Sequence, residues 1–225
     1  MKKLYHRLTG LEIDTDIPCT RVFGYTGKKF LDMCRGFLMV RKRKIFIDRN
    51  CIIKSKCLIK MSAWLAIGHD VYIDALSRNG VHFGKHVSIG CFTRIECTGS
   101  LSHLGEGFRC GDNCGLGTNC FYGAAGGITL GSNVIVGNYV SFHSENHNFA
   151  DMKIPIRLQG TSHKGIIVGD NCWIGAKATI LDGVRIGNGC VIAAGSVVTK
   201  SFPNNVVVAG VPARIIKQRE LMTSK

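Results

Sequence analysis

The sequence predicts an all-β protein built as a parallel β-helix of hexapeptide repeats, and three observations support this fold class. Large aliphatic residues recur every six positions within the stretch 166–216, at Val168, Ile174, Ile180, Ile186, Ile192 and Val198. Glycine follows at 169, 175 and 187, where we expect a tight turn with positive φ. A small or slender residue stands two positions before most of the aliphatic ones. Neither a helix period of about 3.6 nor a strand period of about 2 explains this spacing, whereas a β-helix does.

The repeat also covers much of the chain before this stretch. Its blocks begin at Ile47, Ile67, Phe83, Leu104 and Val136. Each change of phase between blocks predicts an insertion at a corner of the coil. The pattern stops at His143 and resumes at Ile166. We therefore expect residues 144–165 to leave the β-helix as an extended loop, and such a long excursion from a regular repeat is usually functional.

The two ends of the chain are expected to differ from the β-helix body, which we place at residues 45–211. Residues 1–44 contain no hexad, and their partial alternation indicates one or two strands without clear bounds. In residues 212–225, Pro212 fits the first turn of a helix, and Ile215, Ile216 and Leu221 form a partial apolar face. These features predict a C-terminal helix from about residue 212 to residue 222.

Charge and composition limit the possible partners. The 225 residues carry a net charge of +14, which favours an anionic partner such as nucleic acid, an acidic membrane surface or a phosphorylated or acidic small molecule. No nucleic-acid-binding motif accompanies this charge. The basic run 41–44 is interpreted as a solvated face, with contact to anionic lipid headgroups as the alternative. We expect at most peripheral membrane contact, because no stretch approaches the roughly 20 apolar residues of a membrane span.

The cysteines are interpreted as packing residues. Six of the 11 stand two positions before a core residue of a hexad, where a thiol packs as a small hydrophobe: Cys51, Cys57, Cys114, Cys120, Cys172 and Cys190. This usage indicates a reducing compartment. The first ten residues include basic side chains but no long apolar run, so no signal peptide is predicted. We therefore expect a cytoplasmic protein.

The hexads, the His-containing loop, the GDNCWIGAKATILDGVRIGNGCVIAAGSVVTK run and the NNVVVAGVPARIIK ending resemble the left-handed β-helix hexapeptide acyltransferases. Within that family the chain is similar to the O-acetyltransferases that act on galactosides, maltose and surface polysaccharides. The resemblance covers residues 65–217 and implies the left-handed coil. It also implies a homotrimer with active sites between neighbouring subunits, and acetyl-CoA as co-substrate without a metal.

The resemblance also implies the site residues. His147, just where the loop begins, occupies the place of the family's catalytic histidine and would act as the general base. His143 is the alternative base, and Glu145 is a candidate to orient the imidazole. Small residues at Ala176 and Ala194 would flank the pantetheine arm, and Trp173 would wall the thioester site or pack between coils. The nucleotide and phosphates of coenzyme A would contact Thr199, Lys200, Arg214 and Lys217.

The predicted function is direct acetyl transfer from acetyl-CoA to a sugar hydroxyl of a surface polysaccharide or its precursor, with acidic and lipid-linked saccharides among the expected acceptors. A small acceptor, such as an antibiotic, a free sugar or an amino sugar, is the alternative. Two other classes stay open. His143, His147 and His163 resemble the ligand set of trimeric β-helix carbonic anhydrases, whose catalytic zinc needs three protein ligands. The other class is a scaffold without activity. A rival catalytic route through a cysteine nucleophile would need an exposed, electropositive thiol.

Overall fold

The computed structural model describes residues 13–14, 16–42 and 44–220. One α-helix, α1 (Cys19–Val40), precedes a long series of short strands. In chain order the strands are β1 (Ile45–Ile47), β2 (Ile52–Lys54), β3 (Ile59–Met61), β4 (Leu65–Ile67), β5 (Tyr72–Asp74), β6 (Val81–Phe83), β7 (Ser88–Ile89), β8 (Arg94–Glu96), β9 (Phe108–Cys110), β10 (Gly115–Leu116), β11 (Phe121–Gly123), β12 (Ile128–Leu130), β13 (Ile135–Val136), β14 (Ser141–His143), β15 (Asn146–His147), β16 (Thr161–Ser162), β17 (Ile166–Val168), β18 (Trp173–Ile174), β19 (Thr179–Leu181), β20 (Arg185–Ile186), β21 (Val191–Ile192), β22 (Val197–Val198), β23 (Val206–Gly210) and β24 (Ala213–Gln218).

Within these residues the strands form three long sheets that the chain visits in rotation. Sheet 1 is ordered β1-β4-β7-β10-β13-β18-β21-β23-β24, sheet 2 β2-β5-β8-β11-β14-β19-β22, and sheet 3 β20-β17-β12-β9-β6-β3. Neighbours in a sheet therefore come from successive coils, and all pair in parallel except β23 with β24. This is the predicted β-helix. We name its corners by the sheets they join: corner 1–2, corner 2–3 and corner 3–1.

The hexad aliphatic residues form the core. Ile174 pairs in register with Val136 on one side and with Ile192 on the other, so equivalent residues of successive coils stack. The six aliphatic positions that define the repeat are all buried, as predicted. Two hexad assignments were wrong, because Leu104 is exposed outside any strand and Cys57 is also exposed.

The glycine that follows many of the core residues is explained by close packing of coils, which corrects the expected positive φ. A Cβ atom at Gly137 would lie 2.6 Å from the backbone nitrogen of Ala176, and one at Gly175 would lie 2.5 Å from that of Ala194. Neither glycine has positive φ, which instead occurs two positions later, at Lys177 and Gly189 among others. The repeat therefore needs glycine where one coil lies directly on the next.

The phase changes mark insertions, and the larger ones share corner 2–3. In a regular coil Asp170 lies beside Asn188, 18 positions on, whereas Ser141 lies beside Thr179, 38 positions on. The extra residues of that coil are the predicted loop between β14 and β17. Two earlier coils also lengthen at this corner, between β5 and β6 and between β8 and β9. One corner of the β-helix thus carries most of the irregular chain.

The N-terminal segment is helical, not strand as its alternation suggested. Val22, Asp32 and Gly36 are the buried residues of α1, and a Cβ at Gly36 would lie 2.1 Å from the carbonyl oxygen of Ile45. The periodicity that decides the structure is thus the helical one on the face against β1. Residues 1–12 lie outside the described part of the chain.

The C-terminal segment is a strand, so the predicted helix was wrong. β23 and β24 form an antiparallel hairpin, and the cis peptide bond Val211–Pro212 lies at its turn. Pro212 therefore occupies a turn position rather than the start of a helix. The strand β24 covers the edge of sheet 1 that β23 would otherwise expose. Residues 221–222 of the predicted helix lie outside the described residues. No helix in the described part is both long and apolar enough to cross a membrane.

Candidate active site

The loop 144–165 begins and ends as a short two-stranded ladder that carries His147. β15 and β16 pair antiparallel, with Asn146 opposite Ser162 and His147 opposite Thr161. His147 is exposed. It therefore stands at the stem of the loop rather than at the tip. Backbone pairing at the stem limits the movement of His147.

Buried polar contacts hold both ends of this ladder on corner 2–3. The Ser144 hydroxyl is buried, donates to the carbonyl oxygen of Gly123 at 2.7 Å and accepts from the N–H of Gly126 at 2.9 Å. On the returning strand, the Asp182 carboxylate accepts from the N–H groups of Lys164 and Gly165 at 2.9 and 2.8 Å. His147 is thus only three positions from a fixed point of the β-helix.

The tip of the loop is closed by Gln159. Its side-chain amide donates to the carbonyl oxygens of Asp151 and Ile154 at 2.7 and 2.6 Å. Its carbonyl group accepts from the N–H of Asp151 at 3.1 Å. Large apolar side chains on the tip are nevertheless exposed in the single chain, including Phe149, Met152 and Leu158.

The other two histidines near the loop have defined neighbours. The Nε2 atom of His163 lies 2.8 Å from the Thr161 hydroxyl oxygen, and its Nδ1 atom lies 3.5 Å from Glu145 Oε2. Glu145 therefore pairs with His163, and not with His147 as the sequence suggested. His143 lies in β14 with its ring 5.6 Å from that of Phe121, and desolvation lowers its pKa. Among the described residues, no group of three or more His, Cys, Asp or Glu could hold a metal ion.

The residues predicted to contact coenzyme A occupy three places. Trp173 and Lys217 lie in one row across sheet 1, joined through Val191 and Val207 by the strand register. At a strand spacing of about 4.8 Å, three steps along this row separate them by about 14 Å. Arg214 is on the same edge strand, with its guanidinium donating to the carbonyl oxygen of Ala213 at 2.9 Å.

The remaining predicted residues lie at two corners. Ala176 and Ala194 are exposed at corner 1–2, one coil apart, and the N–H of Gly195 donates to the carbonyl oxygen of Ala176 at 2.9 Å. Thr199 and Lys200 follow β22 and lie at corner 2–3, the corner from which the His147 loop also emerges. The fold of one chain thus groups Ala176 with Ala194 but assigns His147 to a different corner.

A cavity of about 290 Å³ that the sequence did not reveal lies at corner 2–3. The insertions form its wall, and Asn79 donates to the Glu106 carboxylate at 3.1 Å across them. His82 and Arg109 line it as register neighbours in sheet 3, and desolvation together with the charges of Arg109 and Lys60 lowers the pKa of His82. Lys164, at the end of the loop, completes the polar lining. In the sequence, the cavity was indicated only by the phase changes of the repeat, which mark the insertions at this corner.

The comparison with known proteins bears directly on this arrangement. The family described as "Hexapeptide repeat of succinyl-transferase" matches residues 109–140 and 165–200. The galactoside O-acetyltransferase of Escherichia coli (strain K12) is 30% identical over 200 residues, a match covering 85% of each chain. The chain belongs to the hexapeptide-repeat acyltransferase family, in its O-acetyltransferase branch.

Two further comparisons support this assignment, one through the name of a sequence relative and one through the fold of a solved structure. WbbJ of Escherichia coli (strain K12) carries the name of a lipopolysaccharide biosynthesis O-acetyl transferase. It is 28% identical over 203 residues, a match that covers 84% of this chain and 88% of WbbJ. AntD, an N-acyltransferase from Bacillus cereus solved with dTDP and coenzyme A, has 22% sequence identity and a TM-score of 0.53. That match covers 68% of this chain and 84% of AntD. The predicted left-handed β-helix and the enzyme class, an acyltransferase, are confirmed.

The buried thiols of this acyltransferase are not placed for nucleophilic catalysis. All 11 cysteines are unpaired, and six are buried. Burial raises the pKa of Cys97 to about 12 and also raises that of Cys120. A reactive cysteine needs a lowered pKa together with exposure. Contact with the Cys172 thiol lowers the pKa of Cys190, but Cys190 is buried. Four buried thiols instead donate to carbonyl oxygens of the next coil, among them Cys190 to Pro203 at 3.0 Å.

Proposed function

We propose that the protein transfers an acetyl group from acetyl-CoA to a sugar hydroxyl, on a surface polysaccharide or its lipid-linked precursor. The observation that carries this proposal is the placement of His147 on the ladder of the loop stem, anchored at Ser144 and Asp182. The names of the galactoside and lipopolysaccharide relatives support a sugar as acceptor.

His147 would act as the general base. Imidazole is the side chain best suited to exchange a proton near neutral pH. The ring would take the proton of the acceptor hydroxyl while the hydroxyl oxygen attacks the thioester carbonyl carbon, and the coenzyme A thiolate would leave. A backbone N–H would stabilise the oxyanion. No acetyl-enzyme is needed, in keeping with the burial of Cys97 and Cys120.

The residues of corner 1–2 and sheet 1 fit coenzyme A. Ala176 and Ala194 present no atom beyond Cβ, and a Cβ built at Gly195 would have nothing within 4 Å, so an extended arm can approach the backbone there. Arg214 and Lys217 are exposed on the adjacent edge strand and can bind phosphate. The nucleotide of coenzyme A would contact Thr199 and Lys200. That coenzyme A would be bound either by the same subunit or by a neighbouring one.

A homotrimer would complete the site. His147 belongs to corner 2–3, whereas the Ala176 and Ala194 pair belongs to corner 1–2. When flat-sided β-helices pack around a threefold axis, a corner of one subunit can lie beside a different corner of the next. The exposed Trp173 and the apolar loop tip, with Phe149 and Leu158, would be covered by this packing.

The cavity at corner 2–3 is the best place for part of the acceptor. Its lining by Asn79, Glu106, Arg109 and Lys164 offers several donors and acceptors of the kind that bind sugar hydroxyl groups, and the two cations would favour an acidic glycan. A small acceptor is the second candidate, because AntD, which shares the fold, was solved with the nucleotide dTDP.

The decisive test is release of coenzyme A from acetyl-CoA in the presence of acidic and neutral oligosaccharides, free sugars, amino sugars and antibiotics. We expect release with a saccharide, and a fall in kcat of about 10²–10⁴-fold for His147→Ala. The exposed His103→Ala is the matched control and should keep wild-type turnover. His163→Ala tests whether the neighbouring histidine could be the base instead. It should reduce kcat much less than His147→Ala does.

Three results would contradict the proposal. Near wild-type turnover of a folded His147→Ala trimer would remove His147 as the base. Release only with free amino sugars or antibiotics would favour the small-acceptor alternative. Absence of acetyl-CoA binding by calorimetry, with stoichiometric zinc in the purified protein, would favour the carbonic-anhydrase-like class.

A further inference from the structure

Helix α1 has a second apolar face that the β-helix does not cover. The first face of α1, which packs against the β-helix, includes Val22 and Gly36. Phe23, Phe30 and Phe37 recur every seven positions on a different face, which is the spacing that keeps side chains on one side of a helix. Phe30 is 61% exposed, and Leu38, beside this row, is 78% exposed. Contiguous exposed apolar surface of this kind marks an interaction site.

The same end of the molecule is strongly basic. Between residues 17 and 60 acidic residues occur only at 32 and 48, and basic residues at 21, 28, 29, 35, 41–44, 49, 54, 56 and 60. Both carboxylates are buried and paired, Asp32 with Lys28 at 3.1 Å and with Arg35 at 2.7 Å, and Asp48 with Lys28. Over residues 17–60 the described surface therefore carries an excess of positive charge. Exposed carboxylates stand just before this range, at Asp14 and Asp16.

A cavity of about 340 Å³ lies between the end of α1 and the first coil. Apolar side chains form much of its lining: Met39, Val40, Ile53, Ile59 and Met61. Three cations line it as well: Arg41, Lys42 and Lys56. An apolar cavity with cations beside it suits an amphiphile whose head is anionic.

We propose that this end of the molecule, the exposed face of α1 with the basic residues around it, docks on an anionic phospholipid bilayer. A helix with aromatic and aliphatic residues on one face and Lys or Arg beside them lies in the bilayer interface. A second copy of the chain is a poorer fit, because pairing these ends would bring like charges together. Nucleic acid would match the charge but would leave Phe30 and Leu38 exposed.

The inference does not depend on the proposed acetyl transfer, although a lipid-linked acceptor would give it a purpose. Docking through α1 would hold coil 1 toward the bilayer and leave the later coils, with His147, in water. Vesicle binding is measured without any substrate, so its failure is distinguishable from failure of the catalytic proposal.

The test is flotation of the full-length protein with vesicles of phosphatidylcholine, alone or mixed with phosphatidylglycerol. We expect binding to the mixed vesicles only. Arg41→Gln should weaken it about fivefold, since each basic residue near an anionic surface adds about that factor. Leu38→Ser should weaken it by a similar factor through loss of apolar contact. Arg185→Gln and Leu101→Ser alter an exposed cation and a leucine elsewhere that is even more exposed than Leu38, and both should bind as wild type.

Any of three results would overturn the proposal. The first is a lack of binding to the mixed vesicles. The second is binding that Leu38→Ser does not weaken. The third is loss of trimers in Leu38→Ser by light scattering, which would make this face an interface between copies. Variants that keep the wild-type circular dichroism spectrum and turnover on a soluble acceptor exclude misfolding as the cause of lost binding.

Discussion

At the scale of single residues, glycine sets how closely the coils stack. Gly137→Ala adds a Cβ 2.6 Å from the Ala176 nitrogen, and the neighbouring backbone has little freedom to move. We expect the free energy of unfolding to fall by about 1–3 kcal/mol, the range typical of overpacking. Chemical denaturation followed by circular dichroism would measure it.

Gly99→Ala is the control for this prediction, because a Cβ there has nothing within 4 Å and the residue is exposed. It should leave stability unchanged within about 0.5 kcal/mol. Equal destabilisation by both variants would contradict the packing explanation and indicate a general intolerance of alanine. The comparison therefore separates contact between coils from backbone flexibility.

Lys217 tests the role assigned to the edge strand at the same scale. Lys217→Ala should raise KM for acetyl-CoA about tenfold, through loss of a phosphate contact, with little change in kcat. Arg185→Ala, a cation of sheet 3, should leave KM unchanged. Dephosphorylated acetyl-CoA, which lacks the 3′-phosphate, identifies the contact: wild type and Lys217→Ala should differ less with it. An unchanged KM for Lys217→Ala would remove this residue from the site.

At the scale of elements, we expect the attachment of α1 to depend on pH, because Lys28 of α1 pairs with Asp48 directly after β1. Burial alone would raise the pKa of Asp48, but hydrogen bonds from Lys28 and from the Arg49 N–H hold it below its ordinary value of 3.8. A carboxyl whose pKa is lower in the folded state stabilises the fold above its unfolded pKa, and this contribution disappears as the pH falls through the folded pKa.

Asp48→Asn should therefore lower the melting temperature at neutral pH and lose this effect below about pH 4. Thermal melts of both proteins across this range would measure it. Glu106→Gln, in an exposed pair with Arg78, is the control and should change little at any pH. A melting-temperature difference that stays constant down to low pH would show that the amide acts through packing rather than through charge.

The two terminal elements also show where prediction from sequence stopped. Periodicity identified the β-helix body because every hexad repeats the same contact, as the stacking of Val136, Ile174 and Ile192 shows. It failed at α1 and β24, which each occur once and whose structure depends on the surface they cover. Pro212 is compatible with a helix start and with a hairpin turn, and only the free edge of β23 decides between them.

The whole molecule shows why the site was only partly predictable. His147 could be singled out because it lies where the repeat is interrupted, at the place that the resemblance assigns to the family's catalytic histidine. The cavity with Asn79, Glu106 and Arg109 could not, because its walls come from coils far apart in sequence that share corner 2–3. The pairing of Glu145 with His163 likewise depends on how the loop returns to the β-helix.

The separation of His147 from the coenzyme A corner leads to a prediction about the assembled molecule. If each active site takes His147 from one subunit and Ala194 from the next, two inactive variants can complement each other. His147→Ala would lack the proposed base, and Ala194→Trp would fill the space proposed for the pantetheine arm. Coexpression with two affinity tags and tandem purification would isolate trimers containing both chains. Such trimers contain some sites with both native halves, so coenzyme A release should return, although each variant alone is inactive.

The control is a trimer that mixes His147→Ala with a His147→Ala, Ala194→Trp double variant, in which no site can be native. Activity in the first mixture and none in the second would establish a shared site. If both mixed trimers are inactive while wild-type trimers with the same tags are active, His147 and Ala194 act within one chain. In that case the loop 144–165 would have to cross sheet 2 of its own subunit, because one strand of that sheet separates corner 1–2 from corner 2–3 in every coil.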